Sequence, residues 1–436
     1  MTKNKSTNDK EKKTIGQTTT EGLEDFYEKE PSIFKRPIIE HLGFIRVYYF
    51  LVCLFIGIIG GILGELFVNN YFSSQGLTLT SLWQPDSGVN SNDEKQQVII
   101  LRTNEMEKAE STAISSLVEA TGASVVGIFP KKEAGETIWD SIYLPQQQLG
   151  NGLILTADGW IVTSNQVVTA DSKPEDLVVV MSDKTIADIE SIVPDDASGS
   201  IFIKAKAQGL KVVKFGTNQT WLPGEQLLVL ANSVTNGGYK TILTNLEKIN
   251  YQQLTKGQDL LQNTEVYKKR ILLKDKISKE FFGSPAVNLK GEIIGILYGG
   301  TEGNILLPES YFSQVLKNLL ASGKIDRPYL GVNYLDLSHV VGLDRAISEG
   351  RMSGAVLYGE KGTLPAVIPN SPAAQAGLKA GDIIIKVNNE SVDANHSLTE
   401  IIQQYKVGDA VKLSIVFQGT EREVEVVLTS KPVAAN

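Results

Sequence analysis

Histidine is scarce in this chain of 436 residues, and its positions limit the chemistry that the chain can perform. The three histidines are His41, His339 and His396, so the stretch 110–322 contains none. A serine or cysteine nucleophile usually depends on a histidine that accepts its proton. The sequence therefore excludes a Ser-His-Asp or Cys-His arrangement built within 110–322.

One serine in that stretch lies in a turn that leads into an apolar run. Gly283–Pro285 has the composition of a turn, and apolar residues follow it. Ser284 could act as a nucleophile with Lys276 or Lys279 as its base, since a Ser-Lys pair is possible chemistry. Only proximity in sequence connects these residues, so this remains an alternative.

Residues 280–296 read EFFGSPAVNLKGEIIGI. From Gly283 onward they resemble the HtrA (DegP-like) pattern G-N-S-G-G-P-L-V-N-x-x-G-x-V-I-G-I, which carries the nucleophilic serine of a chymotrypsin-type protease. This chain has Glu280-Phe281-Phe282 where the pattern has Gly-Asn-Ser. The resemblance places Phe282 at the nucleophile position and alters two positions of the oxyanion hole. We expect Phe281 and Phe282 to fill the cleft with apolar surface.

A second stretch covers the position of the catalytic base. Gly150–Val168 reads GNGLILTADGWIVTSNQVV and resembles the HtrA run G-S-G-x-I-I-x-x-x-G-x-I-L/V-T-N-x-H-V-V. The histidine of that run falls on Gln166 in this chain. A glutamine side chain cannot accept a proton near neutral pH, so Gln166 cannot serve as a general base.

The third stretch, Asp195–Lys204, reads DDASGSIFIK and resembles the family run D-x-x-x-D-L-A-V-L-K. The catalytic aspartate falls on Gly199, or on Ser200 if the alignment shifts by one residue. Asp195 and Asp196 precede that position in a turn, where carboxylates are usually solvated. All three triad-equivalent positions, Gln166, Gly199 and Phe282, thus lack the catalytic residue type.

The elements that would position these residues are mostly short β-type runs separated by turns, which favour a pair of small barrels over a βαβ fold. A helical run over 113–120 precedes them, and the amphipathic helix Tyr311–Leu320 follows. The predicted strands are 123–129, 152–155, 160–163, 177–181, 201–203, 212–215, 226–230, 241–243, 271–273, 286–288 and 293–298. The HtrA resemblance implies the same fold class, a chymotrypsin-like double β-barrel.

The C-terminal part resembles the PDZ domains that follow HtrA protease domains. RPYLGV at Arg327–Val332 opens it, and Gly381–Asn388 matches the signature G-D-x-I-x-x-V-N. Ser371-Pro372 begins one short helix, and Ser397–Glu400 forms a capping box at the start of another. Strand-like runs occur at 354–357, 366–368, 411–416 and 423–428. We predict an α+β domain.

PDZ domains bind extended C-terminal peptides by adding a strand to a sheet edge. By resemblance, the amides of a loop hold the peptide carboxylate and a helix forms the opposite wall of the groove. Tyr329 is either part of this surface or a packing residue. The predicted peptide-binding residues are Tyr329, Leu330, Gly331, Val332, Leu398 and Ile402.

The N-terminal part contains a candidate membrane span. Val47–Val68 has no charged residue before Glu65, and about 20 apolar residues suffice to cross a bilayer. Lys35, Arg36 and Arg46 precede it, which places the N-terminus in the cytoplasm. Its distance from the N-terminus and the lack of a cleavage pattern favour a signal anchor over a cleaved signal peptide. A buried core helix is the other alternative.

The predicted organisation therefore has five parts. They are a cytoplasmic disordered tail (1–45), a transmembrane signal anchor (46–68), a linker (69–109), a trypsin-like domain (110–322) and a PDZ domain (326–432). The net charge of −8 argues against a nucleic-acid-binding protein. The single cysteine, Cys53, excludes an intramolecular disulfide and a cysteine-based zinc site. We expect no metal and no cofactor.

These features predict a membrane-anchored, proteolytically inactive HtrA-like protein that binds the C-termini of peptides or misfolded proteins outside the cytoplasm. The HtrA resemblance implies a role in protein quality control and frequent trimers. Two alternatives remain open. One is a serine endopeptidase with non-standard catalytic residues. The other is a regulatory subunit in mixed oligomers with active HtrA relatives.

Overall fold

The computed structural model describes most of the chain after residue 110. The described residues are Gly57, 111–133, 135–216, 221–233, 237–300, 303–360 and 362–432. The predicted tail, the span Val47–Val68 and the linker lie outside them, apart from Gly57. No helix among the described residues is long and apolar enough to cross a membrane. The chain divides into two compact units, Met1–Glu94 and Lys95–Asn436, and all described strands belong to the second.

Six antiparallel strands form a first closed barrel in the order β1-β2-β3-β6-β5-β4. They are β1 (Val125–Pro130), β2 (Gly150–Ile154), β3 (Trp160–Ser164), β4 (Leu177–Val180), β5 (Ile186–Asp195) and β6 (Ser200–Ala205). β1 closes the barrel because it pairs with both β2 and β4. The strand β3 is buried along its whole length, so both of its faces contact protein.

A second closed barrel has the order β10-β13-β12-β11-β7-β8. Its strands are β7 (Gln226–Asn232), β8 (Tyr239–Tyr251), β10 (Arg270–Leu273), β11 (Pro285–Asn288), β12 (Ile293–Gly299) and β13 (Ile305–Pro308). The hairpin of β11 and β12 turns at Gly291, whose φ of +80° favours glycine. The predicted double β-barrel is confirmed.

β9 (Leu261–Asn263) lies between β8 and β10 in the chain, but it is not part of the second barrel. It pairs within the sheet of the C-terminal domain. That sheet has the order β20-β19-β17-β16-β15-β9, with β18 paired to β17. The C-terminal strands are β14 (Pro328–Tyr329), β15 (Asn333–Asp336), β16 (Ala355–Leu357), β17 (Ile383–Val387), β18 (Glu390–Ser391), β19 (Ala410–Phe417), β20 (Thr420–Val427) and β21 (Thr429–Ser430). β14 and β21 form a separate pair.

Within residues 111–432, the helices that the structure describes are few and mostly short. They are α1 (111–122), α2 (Glu309–Ser322), α3 (Arg345–Ser348), α4 (Pro372–Gln375) and α5 (Leu398–Ile402). α2 ends at Gly323, which adopts a left-handed φ of +68° and donates its N–H to the Leu319 carbonyl. α5 begins with the predicted capping box, in which the Ser397 side chain and Glu400 bond each other's backbone amides.

Two predicted strands are absent from the described chain. In 212–215, only Phe215 makes an isolated bridge, to Ile293, and in 366–368 only Val367 bridges to Val332. Conversely, the predicted strands do not include β5, β9, β13, β14, β15, β18 or β21. Among the apolar clusters of the core, one joins residues of both barrels and another fills the C-terminal domain.

Candidate functional site

The structure brings the base and acid positions of the expected triad to one place. Gln166 is exposed in the turn after β3, and its amide Nε2 lies 3.5 Å from Asn165 Oδ1. The Asn165 N–H donates to the Gly199 carbonyl at 3.0 Å, so the two positions are neighbours. Gly199 has no side chain, and Gln166 offers only a neutral amide. Neither residue can accept a proton from a nucleophile near neutral pH.

Gly199 also holds a backbone conformation that favours glycine. Its φ is +83°, and a Cβ at this position would lie 3.2 Å from the Tyr298 ring. A residue with a side chain would therefore be strained and crowded here. Ser200, the other candidate from the sequence, is buried, and its hydroxyl lies 2.7 Å from that of Ser198.

Asp195, a carboxylate next to these positions, takes part in another contact. The expectation that Asp195 is a solvated turn residue is wrong, because its side chain is only 1% exposed. It accepts hydrogen bonds from Arg327 Nη2 at 2.6 Å, from Arg327 Nε at 3.1 Å and from Ser198 Oγ at 2.6 Å. This bidentate contact with Arg327 stabilises the buried Asp195 carboxylate. Asp196, its neighbour, is exposed.

Phe282, at the nucleophile position, is part of the core. It follows the 3-10 turn Lys279–Phe281 and is 8% exposed. Its ring lies against the Gly299 backbone, since a Cβ at Gly299 would be 2.6 Å from Phe282 Cζ. Phe281 and Phe282 both belong to the apolar cluster that the two barrels share. The loop that would present a serine therefore packs two aromatic rings inward.

The backbone amides of this loop donate to carbonyls of the protein. The Phe281 N–H donates to Ser278, the Phe282 N–H to Lys279, the Gly283 N–H to Leu297 and the Ser284 N–H to Phe281, at 2.8–3.0 Å. An oxyanion hole requires amide donors that point together at one empty position. The amide of Phe282, which the family motif would use, is directed at the Lys279 carbonyl instead.

Asn151 on β2 is a residue of this site that sequence reasoning missed. It is fully buried, and its Nδ2 donates to the Glu280 carbonyl at 2.7 Å. Its backbone N–H donates to the Phe282 carbonyl at 2.8 Å. Its Oδ1 accepts from the Asn232 N–H at 2.9 Å. Asn151 thus ties the loop to both barrels. The available signal was an asparagine at the start of an apolar strand.

Ser284 does not form the alternative Ser-Lys site in this structure. It is fully buried, and its Oγ has no hydrogen-bond partner among the described residues. Lys276 and Lys279 are both exposed. A buried hydroxyl and exposed ammonium groups cannot exchange a proton directly.

The residues predicted to bind a peptide come together in the C-terminal domain, where another segment of the chain covers them. The loop residues Tyr329, Leu330 and Val332 are at most 5% exposed, and Leu398 and Ile402 on α5 are fully buried. Tyr329 also belongs to β14, which pairs with β21.

The covering segment is β9 and the two residues after it. β9 pairs antiparallel with β15, with Asn263 opposite Asn333, Gln262 opposite Tyr334 and Leu261 opposite Leu335. It lies along the sheet edge next to α5, since Thr399 Oγ1 donates to the Asn263 carbonyl at 2.6 Å.

The end of this segment reaches the loop that was predicted to hold a carboxylate. The Gly331 N–H donates to Glu265 Oε1 at 3.0 Å. Gln403 Nε2, from the turn after α5, donates to the Thr264 carbonyl at 2.7 Å. Burial raises the pKa of Glu265, and hydrogen bonds from Thr264 and from the Gly331 and Leu330 amides oppose that rise. A carboxylate therefore does sit on this loop, and the chain itself supplies it.

Family models match both parts of the structure. Residues 150–296 match the trypsin-like peptidase domain, and residues 364–415 match the PDZ domain. The first match covers all three triad-equivalent positions, Gln166, Gly199 and Phe282.

Curated relatives carry the name "Probable periplasmic serine endoprotease DegP-like". The protein of Ectopseudomonas mendocina (strain ymp) is 28% identical over 303 residues, and the match covers 66% of this chain and 57% of the relative. That of Pseudomonas fulva (strain 12-X) is 30% identical over 300 residues, with the same coverage of 66% and 57%. The chain thus spans little more than half the length of these relatives.

Solved structures of the HtrA-type protease AlgW share the fold. The complex with a decapeptide has a TM-score of 0.54 and 18% identity, and it covers 73% of this chain and 99% of its own. The complex with a tripeptide has a TM-score of 0.54 and 19% identity, with coverage of 73% and 97%. The chain is therefore HtrA/DegP-like, with one region that matches a trypsin-like peptidase domain and another that matches a PDZ domain.

Proposed function

We propose that this protein is a non-catalytic member of the DegP-like group that binds C-terminal peptides in its PDZ groove. The trypsin-like barrels act as a scaffold. We further propose that the predicted segment Val47–Val68 anchors the protein in a membrane, with both folded domains outside the cytoplasm. Peptide ends of unfolded proteins are the proposed ligands.

The observation that carries this proposal is the state of the nucleophile loop. Phe282 is buried against Gly299, and its amide donates to the Lys279 carbonyl. Gln166 and Gly199 supply neither a base nor an acid. A protease that loses its triad but keeps a formed oxyanion hole retains roughly 10³ to 10⁴-fold acceleration over water. With the amide directed elsewhere, even this residual rate is not expected.

The similarity to named endoproteases favours a second candidate, a serine endopeptidase with non-standard residues. Ser284 is then the only serine of the motif that could react. This candidate requires the loop to open and expose Ser284 to a base. The full burial of Ser284 argues against it.

Labelling of the full-length protein with a serine-directed fluorophosphonate separates the two candidates. We expect no labelling and no casein cleavage, with or without added peptide. An active DegP-like endoprotease serves as the positive control for both assays. Casein turnover that Ser284→Ala abolishes would overturn the proposal and establish the endopeptidase. A rate that Ser284→Ala leaves unchanged indicates a contaminating protease.

A further inference from the structure

We propose that Leu261–Glu265 is an internal ligand of the PDZ groove, in which the side-chain carboxylate of Glu265 takes the place of a peptide C-terminus. A free peptide must displace this segment before it can bind. Only the displacement by a free peptide rests on the proposed peptide-binding function; the internal docking does not.

The segment makes the contacts expected of a bound peptide. Its strand β9 extends the sheet by pairing with β15, which is the main-chain recognition that PDZ domains use. The opposite wall, formed by α5 and the turn after it, contacts the backbone of the segment. Thr399 Oγ1 donates to the Asn263 carbonyl at 2.6 Å, and Gln403 Nε2 donates to the Thr264 carbonyl at 2.7 Å.

The carboxylate position is also filled. Glu265 Oε1 accepts from the Gly331 N–H at 3.0 Å and from the Thr264 hydroxyl. Gly331 has a φ of +81°, which turns the loop so that this amide faces the segment. Hydrogen bonds from backbone amides to a carboxylate are charge-assisted and stronger than those between neutral groups.

Side chains of the segment fit the groove as well. Gln262 is 4% exposed and Thr264 is fully buried. Tyr334 on β15 donates its hydroxyl to Gln262 Oε1 at 3.0 Å. These are contacts between buried polar groups, each of which has found a partner. Residues 261–265 therefore occupy the groove as a bound peptide would, and they do not form an exposed surface loop.

An internal ligand lowers the apparent affinity for any external one. The segment is part of the same chain, so it competes for the groove at a high effective concentration. An external peptide can bind only those molecules whose groove is open. Removing the carboxylate of Glu265 should raise the fraction of such molecules. Because Glu265→Ala leaves the buried Gly331 amide without its acceptor in the docked state, we expect this variant to bind external peptide about tenfold more tightly.

The first test is hydrogen exchange on the full-length protein, read at residues 261–265. We expect slow exchange in the wild type and faster exchange in Glu265→Ala. The matched control is Glu421→Ala, which removes an exposed glutamate on β20 of the same domain and should leave residues 261–265 slow. Exchange at 261–265 as fast as in an exposed loop of the wild type would overturn the inference, whether or not any peptide binds.

The second test measures binding of the fluorescein-labelled peptide GQDLLQNT, a copy of residues 257–264 that ends in a free carboxylate. We expect Glu265→Ala to bind this peptide more tightly than the wild type does, and Glu421→Ala to bind it as the wild type does. The same peptide with a C-terminal amide should bind weakly to all three. Binding of the free-acid peptide to wild type without faster exchange at 261–265 would contradict displacement.

A locked variant keeps the inference testable if Glu265→Ala fails to fold. Leu261→Cys with Leu335→Cys joins facing positions of β9 and β15 in a Cys53→Ser background. Its oxidised form should lose peptide binding, and reduction should restore it. Undiminished binding by the oxidised form would overturn the inference. If the probe binds no variant while 261–265 stay slow, the proposed function fails and the internal docking stands.

Discussion

At the position of a chymotrypsin-type nucleophile, the ring of Phe282 contacts the Gly299 backbone and joins the core of both barrels. A serine hydroxyl in the same place would leave that space empty and would need a base, which Gln166 cannot be. The substitution thus changes a reactive loop into a packed one. Asn151 completes the change, because its side chain fixes the Glu280 carbonyl just before the rings.

Phe282→Ala should destabilise the protein by roughly 3 to 5 kcal/mol, because it removes a buried ring and leaves a cavity. Urea unfolding, followed by tryptophan fluorescence, measures the loss. The matched control is Trp139→Ala, whose side chain is 71% exposed and should change stability by about 0.5 kcal/mol or less. Equal stability of Phe282→Ala and wild type would show that the ring does not contribute to the core.

At the residue scale, local motifs identify the three triad-equivalent positions from sequence, because each lies within a recognisable run. Glu265 could not be found in the same way. Its partner Gly331 is 66 positions away, and nothing near Glu265 marks a ligand. The burial of Asp195 was missed for the same reason, since Arg327 lies 132 positions further along the chain. Contacts of this range depend on the assembled domains.

At the element scale, β9 is the feature on which the peptide groove depends. Its three residues, Leu-Gln-Asn, lack the alternation and the β-branched residues that predict a strand. Its pairing with β15 arises only once the second barrel and the PDZ domain are in place. Strands with long apolar runs, such as β7 and β12, are predicted well because burial on both faces leaves a clear pattern.

Docking of this segment should depend on pH through Glu265, whose pKa burial raises in the docked state. A raised pKa means that docking is favoured at low pH and weakens as pH rises through the docked pKa. The groups around it are Lys431 and Tyr329, and the same crevice is lined by Asp196, Asp326 and the ion pair of Asp195 with Arg327. We expect affinity for the free-acid peptide GQDLLQNT to rise with pH in the wild type.

Fluorescence polarisation across the pH range measures this dependence. The comparison with Glu265→Ala separates Glu265 from its neighbours, since Asp196, Asp326 and Lys431 remain in that variant. We expect a steeper pH dependence in the wild type than in Glu265→Ala. Parallel curves would assign the effect to the neighbouring groups.

At the scale of the whole molecule, the second barrel and the PDZ domain share buried polar contacts as well as β9. Lys269 Nζ lies 3.0 Å from Glu400 Oε2, and the two side chains are 3% and 19% exposed. The same ammonium group donates to the Ala394 carbonyl at 3.1 Å. Arg327, at the join of the two domains, holds Asp195 of the first barrel. The two domains should therefore unfold together.

Lys269→Met should weaken the contact between the two domains, because it leaves the partly buried Glu400 carboxylate without its cation. We expect a loss of roughly 1 to 3 kcal/mol, since Glu400 keeps its hydrogen bonds from Ser397. Trp139, Trp160 and Trp221 lie in the trypsin-like domain and no tryptophan follows them, so a Trp83→Phe background makes tryptophan fluorescence report on that domain, while far-UV circular dichroism reports on the whole chain. In the wild type the two urea transitions should coincide. In Lys269→Met they should separate, with the PDZ domain unfolding first.

Lys412→Met breaks an ion pair whose side chains are 57% and 56% exposed, and it should leave both transitions in place. If the transitions of Lys269→Met coincide at the wild-type midpoint, this ion pair does not couple the domains.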